Sequence, residues 1–211
     1  MSEIMPAILT ASVEDLRKKI SQAKPYVGWA QIDIADGAFV NNKTIAVKDI
    51  PAGLPKMQLE AHLMVIDPAA ELSACKAAGI KRAIVHVETV ADPEKILDAM
   101  ERLGLQTGVA INPETPVKQL TPYGKRVSLI LLMSVHPGFQ AQSFIPATLG
   151  RIKQARSLAP DALIEVDGGV KRDNIGSIAR AGADIAAVGS ALYANDAFKE
   201  NYEALVASMT I

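Results

Sequence analysis

Short apolar runs alternate with longer amphipathic stretches along the whole chain. The runs cover positions 4–9, 29–34, 58–64, 83–87, 107–111, 128–133, 163–166 and 185–188. Eight such runs, separated by helix-length segments, are the pattern of strands buried on both faces of a parallel sheet. The intervening stretches 13–23, 68–78, 93–103, 144–158, 174–181 and 198–208 predict amphipathic helices, and weaker patterns at 44–50 and 117–123 predict short ones. Ser12 stands three residues before Asp15, while Asp67-Pro68 and Asp92-Pro93 join an N-cap side chain to a proline suited to the first helical position. Gly79 and Gly104 follow the third and fourth βα helical segments, where a residue must turn left-handed. Eight βα units over residues 1–211 predict a single-domain (β/α)8 barrel of the α/β class. The alternative, an open doubly wound sheet, calls for a glycine-rich turn after the first strand, and residues 6–11 contain no glycine.

Composition narrows this picture. A chain of 211 residues suits one domain, and 49% hydrophobic with 21% charged residues provides a large core and argues against disorder. A net charge of −1 gives no electrostatic reason to expect nucleic acid or a membrane surface. The first residues lack a basic segment leading into an apolar one, and no run is long enough to span a bilayer, so the expectation is a cytoplasmic protein. Cys75 is alone, which rules out a disulfide framework or a thiolate metal cluster within one chain.

Polar residues collect where the predicted strands stop: Asp33, His62, His86, Asn112, Ser134, His136 and Asp167. In a barrel these ends share one rim, where active sites are built from the βα loops. The last two strands run into Gly168-Gly169 and Gly189-Ser190. Such turns, with the N-terminus of a short helix, offer main-chain N–H groups to a phosphate. Asp33, His62 and Asp167 form a nitrogen and oxygen donor set for a divalent ion such as Zn, Fe, Mn or Co. Two carboxylates across a lumen also suit proton exchange on opposite faces of one carbon, with an enediolate needing donors or a cation at its oxygens. The plainer alternative for both aspartates is loop capping beside the turn signals Asp36-Gly37 and Gly168-Gly169.

With these residues in view the chain resembles the ribulose-phosphate 3-epimerase family. The matching segments are Pro6-Ala7-Ile8-Leu9, Asp33-Ile34-Ala35-Asp36-Gly37-Ala38-Phe39-Val40, His62-Leu63-Met64-Val65 and Asn112-Pro113-Glu114-Thr115-Pro116. They continue, in the family's order, with Met133-Ser134-Val135-His136-Pro137-Gly138-Phe139, Val166-Asp167-Gly168-Gly169 and Gly189-Ser190-Ala191. The resemblance implies a barrel of the ribulose-phosphate-binding type that interconverts D-ribulose 5-phosphate and D-xylulose 5-phosphate. It implies Asp33 and Asp167 as the acid/base pair, and a divalent metal ion held at the positions of Gln31, Asp33, His62 and Asp167. It further implies phosphate and substrate contacts at Ala7, His62, Met64, Met133, His136, Gly138, Phe139, Gln140, Ala141, Gly168, Gly169, Gly189 and Ser190, and a homo-oligomer, dimer or hexamer.

The departures from the family pattern are specific. Gln31 stands where the family has a metal-binding histidine, and a neutral amide oxygen is a poorer partner for zinc-like ions. Ala7 removes a hydroxyl, Thr10 stands for a second serine, and Ala35 replaces a pocket methionine. In the loop after the sixth strand two glycines become Gln140 and Ala141, which carry a Cβ and resist positive φ. His136 replaces an asparagine and either donates to the ligand or fills the altered loop. Two alternative functions remain in view. Barrel decarboxylases and aldolases would want a lysine where Asp33 stands. A non-catalytic sugar-phosphate-binding barrel would fit the altered metal and phosphate positions, but not two retained carboxylates that repel an anion.

Overall fold

The computed structural model describes residues 2–51, 54–139 and 141–209. Eight strands are present: β1 (Glu3–Leu9), β2 (Trp29–Ala35), β3 (Gln58–Met64), β4 (Arg82–His86), β5 (Gln106–Ile111), β6 (Leu129–Met133), β7 (Leu163–Asp167) and β8 (Ile185–Val188). Each pairs in parallel with its neighbour in sequence, and β8 pairs with β1, so the sheet closes into a barrel. The helices are α1 (Val13–Ala23), α2 (Pro68–Ala77), α3 (Pro93–Arg102), α4 (Thr148–Leu158), α5 (Ile175–Ala181), α6 (Ser190–Tyr193) and α7 (Phe198–Met209).

Three helices begin where their caps dictate. The side chains of Ser12, Asp67 and Asp92 accept the main-chain N–H groups of Asp15, Ala70 and Lys95, satisfying donors that the first turn leaves open. Gly79 and Gly104 adopt positive φ past the ends of α2 and α3. Two predicted short helices are tighter than α: Val47–Asp49 and Val117–Arg126 are 3₁₀ segments, the second broken at Gly124. The helix expected over 144–158 starts only at Thr148. The Ile145 N–H is drawn to the Ser134 carbonyl, and Pro146 follows, so the apolar residues 144–146 run beneath the sixth loop instead of coiling.

Strand periodicity divides the side chains into two shells. In β3, Leu59, Ala61 and Leu63 pack in the main core between barrel and helices, and in β7 Ile164 and Val166 do the same. The alternate residues, Glu60 and His62 in β3 and Glu165 and Asp167 in β7, face the lumen. One part of the lumen is apolar, built by Met5, Ala7, Ile84, Ala110, Leu129, Leu131, Met133 and Ala187. The rest is polar, with Gln31, Glu60, His62, His86 and Glu165 fully buried. At its lower level Arg82 donates to Glu60 Oε2 at 2.7 Å and to Gln106 Oε1 at 3.2 Å, and its guanidinium lies 4.6 Å from the Trp29 ring centre.

Gly108 is where the barrel wall is tightest: a Cβ there would stand 2.7 Å from Ile84 Cγ1 and 3.1 Å from the Ala83 carbonyl oxygen. Gly108→Ala should therefore destabilise the protein by about 1–3 kcal/mol, the usual cost of overpacking. Gly28→Ala, whose Cβ would meet nothing within 4 Å, should stay within about 0.5 kcal/mol of the parent. Urea unfolding of the two variants checks both.

Candidate active site

The C-terminal ends of β2, β3 and β7 bring three ionisable side chains together. Register places Asp33 beside His62, and β7 delivers Asp167 from the far side of the lumen. One potential ligand atom from each of the three lies within 4.8 Å of the others, so the group could hold a divalent cation. Gln31 sits two residues before Asp33 on the same lumen-facing row and is fully buried. Its amide Nε2 donates to Asp33 Oδ1 at 2.8 Å and to Asp167 Oδ2 at 2.9 Å, tying the two carboxylates to a single donor. The amide oxygen has no hydrogen-bond partner among the described residues.

His62 completes the cluster from below. Its Nδ1 lies 3.1 Å from Asp33 Oδ1 and 3.5 Å from Asp167 Oδ2, while Nε2 lies 2.8 Å from His86 Nε2. His86 in turn sets Nδ1 3.3 Å from Glu88 Oε2. Glu88 Oε1 accepts the Asn112 main-chain N–H at 2.8 Å and the Thr115 hydroxyl. The result is a continuous chain of contacts from the two aspartates to the loop after β5. Arg151 of α4 fixes that loop by donating to the carbonyls of Asn112, Pro113 and Thr115.

The electrostatics follow from burial and partnership. Burial raises the Asp33 carboxyl above its usual range, opposed by the hydrogen bond from His62 and reinforced by the charge of Asp167. Burial also works against a charged His62, but hydrogen bonds to Asp167 and Asp33 overcome it and raise the imidazole to about 9. Burial takes His86 the other way, down to about 4. At Glu88 burial favours the neutral acid, yet donors from His86, Thr115 and Asn112 hold the carboxyl down to about 2.

The mouth above this cluster is lined by residues the sequence singled out and by several it did not. Ala7, Asp33, Met64, Met133, Gly138, Phe139, Ala141, Asp167, Gly168, Gly169, Gly189 and Ser190 all face the cavity. Leu9, Gln142 and Lys171 join them without having been anticipated. Gln142 ties its own loop by donating to the carbonyls of His136 and Phe139, and Asn42 donates across to the Gly138 carbonyl. His62 lies beneath Asp33 with no exposed surface, away from the cavity lining. His136 points outward, two-thirds exposed, and pairs with Glu114 at 3.0 Å. Ser134 is buried and donates to the carbonyls of Asp167 and Gly168, holding the seventh turn in place. Gln140 lies outside the described residues. Asp36 is the loop-capping aspartate: its carboxylate accepts the N–H groups of Ala38, Phe39 and Ile66.

Two rim positions show how the turns are made. Gly169 has φ 63°, and a Cβ there would lie 2.6 Å from the Phe144 nitrogen, so the residue has to be glycine. Ala141 takes φ 61° despite its methyl group, retaining a left-handed turn where the resembled family has glycine.

Comparison with known proteins bears on this arrangement. The model of the ribulose-phosphate 3 epimerase family matches residues 3–193. The ribulose-phosphate 3-epimerase of Synechocystis sp. is 36% identical over 199 residues, covering 90% of this chain and 86% of that protein. Those of Bacillus subtilis and Escherichia coli are each 34% identical, covering 92% and 93% of this chain and 93% and 91% of theirs. Among solved structures, a tryptophan synthase α-subunit mutant from Pyrococcus furiosus superposes with a TM-score of 0.73 at 17% identity, covering 99% of this chain and 98% of that one. A 3-hexulose-6-phosphate synthase superposes at 0.69 with 18% identity, covering 99% and 100%. These two likenesses establish a shared barrel fold.

The buried histidines make stability depend on pH from both sides. His86 falls from 6.5 to about 4 on folding, so its contribution is complete above about pH 6.5 and drains as pH drops through 4. Glu88, lowered from 4.5 to about 2, adds a loss of the same sign at still lower pH. His62, raised from 6.5 to about 9, contributes fully below 6.5 and loses that contribution as pH climbs through 9. Urea midpoints measured between pH 4 and 9.5 should fall away on either side of about pH 6.5. His62→Gln should flatten the alkaline limb.

Proposed function

The chain belongs to the ribulose-phosphate 3-epimerase family, and from that we propose that it interconverts D-ribulose 5-phosphate and D-xylulose 5-phosphate by passing the C3 proton between Asp33 and Asp167. The observation that carries this reading is the bridging of both carboxylates by one Gln31 amide, directly beneath a cavity rimmed by glycine turns. Inversion at carbon needs one group to remove a proton from one face and another to deliver a proton to the opposite face. The proposed cycle needs one carboxyl protonated and the other ionised, and like charges in one buried site favour that arrangement. Burial favours that proton on Asp33. In this cycle the ionised partner first takes the C3 proton, leaving the enediolate, the protonated one then delivers its own to the opposite face, and the two exchange roles for the return reaction.

The enediolate formed between these steps concentrates charge on two oxygens. With no cation bound, protonated His62 beneath the aspartates and the Gln31 amide would place positive potential on that side of the site. The phosphate would lie at the rim, against the main chain of Gly138–Ala141 and of the Gly168-Gly169 and Gly189-Ser190 turns, with Lys171 nearby. Met64, Met133 and Leu9 supply apolar walls that exclude water from the reacting carbon.

A divalent cation fits the donor set Asp33, His62 and Asp167, and turning over the Gln31 amide would bring its unpartnered oxygen to the same point. When bound there, such an ion supplies Lewis-acid polarisation of the substrate's carbonyl oxygen. The nitrogen and oxygen donors suit Zn, Fe, Mn or Co, and Gln31→His should tighten zinc binding, as read by competition with a chromogenic chelator. No described helix is long and apolar enough to cross a membrane. A cytoplasmic setting and assembly into a dimer or hexamer belong to the same proposal, the latter checked by sedimentation.

In heavy water the purified protein should exchange the C3 proton of D-ribulose 5-phosphate. Asp33→Asn and Asp167→Asn should each slow exchange by about a hundred- to ten-thousand-fold, the usual contribution of a positioned acid or base. Absence of exchange by the parent, with each candidate metal supplied in turn, would overturn the epimerase reading.

A further inference from the structure

We propose that Glu88 is a positioning residue that, acting through His86, keeps a proton on His62 Nε2 and so reserves His62 Nδ1 as the atom turned toward Asp33 and Asp167. Glu88 was not among the residues the strand ends brought forward, and it is not part of the cavity lining. Its role follows from the direction in which each hydrogen bond of the chain has to run.

The direction is set at the far end. The Asn112 main-chain N–H can only donate, so Glu88 Oε1 accepts it at 2.8 Å, and the Thr115 hydroxyl donates to the same oxygen. A carboxylate held by such donors is itself an acceptor at its second oxygen. Glu88 Oε2 faces His86 Nδ1 at 3.3 Å, so that nitrogen carries the proton. A neutral imidazole has one donor and one acceptor nitrogen, which leaves His86 Nε2 bare. His62 Nε2 lies 2.8 Å from it, and two nitrogens at that separation share a single proton, so His62 Nε2 is the donor. His62 Nδ1, 3.1 Å from Asp33 Oδ1, then either carries a second proton toward the carboxylates or offers them its lone-pair side.

The surroundings hold both rings in this arrangement. Both rings are fully buried, so neither can turn to solvent for a partner. They lie nearly parallel, with centroids 5.0 Å apart and an interplanar angle of 24°. The ring of Phe39 closes against His86 at 4.8 Å. The loop carrying Asn112 and Thr115 is itself pinned by Arg151, which fixes the origin of the proton order.

Glu88→Gln tests the inference because it reverses the order without changing the shape. The amide oxygen has to stay with the Asn112 N–H and the Thr115 hydroxyl, so the NH2 group faces His86 Nδ1 and forces it to accept. His86 then protonates at Nε2, and His62 Nε2 becomes the acceptor. The His62 proton moves to Nδ1, where it blocks the lone pair and prevents a doubly protonated ring.

Long-range proton–nitrogen NMR of the metal-stripped, full-length protein reads this directly. In the parent, His62 Nε2 and His86 Nδ1 should be protonated and His86 Nε2 bare. In Glu88→Gln both assignments should invert. A parent spectrum with His62 Nε2 bare would overturn the inference even if the variant fails to fold, and so would a folded variant whose spectrum is unchanged. The catalytic consequence rests on the epimerase reading. There Glu88→Gln should lower kcat by about ten- to a hundredfold with KM little changed, as loss of a partner that orients a functional histidine does. Unaltered kcat in a variant with inverted tautomers would confine Glu88 to a structural part. A parent that shows the expected proton order yet exchanges no C3 proton would defeat the epimerase reading alone.

Discussion

Four carboxyl groups share the interior of this barrel: Glu60 and Glu165 at the lower level, Asp33 and Asp167 at the upper. Set against them are the guanidinium of Arg82 and the imidazole of His62. A dry lumen cannot sustain that excess of negative charge, and each level resolves it differently. Below, burial and the nearby charge of Glu60 push the Glu165 carboxyl well above the usual range, and Glu60 is raised by burial while Arg82 opposes the shift. Neither Glu165 oxygen finds a donor among the described residues, as suits a carboxyl that keeps its own proton against Glu60. Above, the Gln31 amide and His62 serve both aspartates at once, so the charge is shared through hydrogen bonds. The lower pair lies outside the cavity lining, while Asp33 and Asp167 meet the cavity.

The barrel itself was legible because strands buried on both faces leave an unmistakable sequence pattern, and because aspartates, prolines and glycines mark the helix ends. The catalytic candidates were legible for a topological reason: a closed parallel sheet delivers every strand end to one rim, so Asp33 and Asp167 had to meet. The orientation of Gln31 was not legible. A glutamine read as a weak substitute for a metal-binding histidine uses its nitrogen to tie the carboxylates, and only the partners met in three dimensions tell the two ends of an amide apart. Glu88 was hidden because its influence travels through His86, a link that no spacing along the chain encodes. Glu60 and Glu165 were absorbed into apolar runs, since the burial of Glu60 makes sense only beside Arg82 on the adjoining strand, and that of Glu165 only beside Glu60 within the lumen.

The rim shows how an altered sequence can keep a geometry. Ala141 carries a methyl group through a turn that glycine makes without strain, and Gln142 and Asn42 hold the surrounding loop by gripping its carbonyls. Residues held in sparsely populated backbone regions persist only when their surroundings over-determine them. Here those surroundings are the polar ties of the sixth loop and the Ile145 amide anchored to Ser134. The same tie that delays the start of α4 also supports the turn opposite the two aspartates.

Closure of the sheet has an effect beyond shaping the pocket. With β1 joined to β8, from Glu3 opposite Ile185 to Pro6 opposite Val188, every described strand has a neighbour on either side. An open edge would be a template onto which another polypeptide could add its own backbone ladder. This cylinder presents none, so contact between copies has to be encoded in the side chains of the outer helices and loops, where single substitutions can create or abolish it without disturbing the chemistry inside.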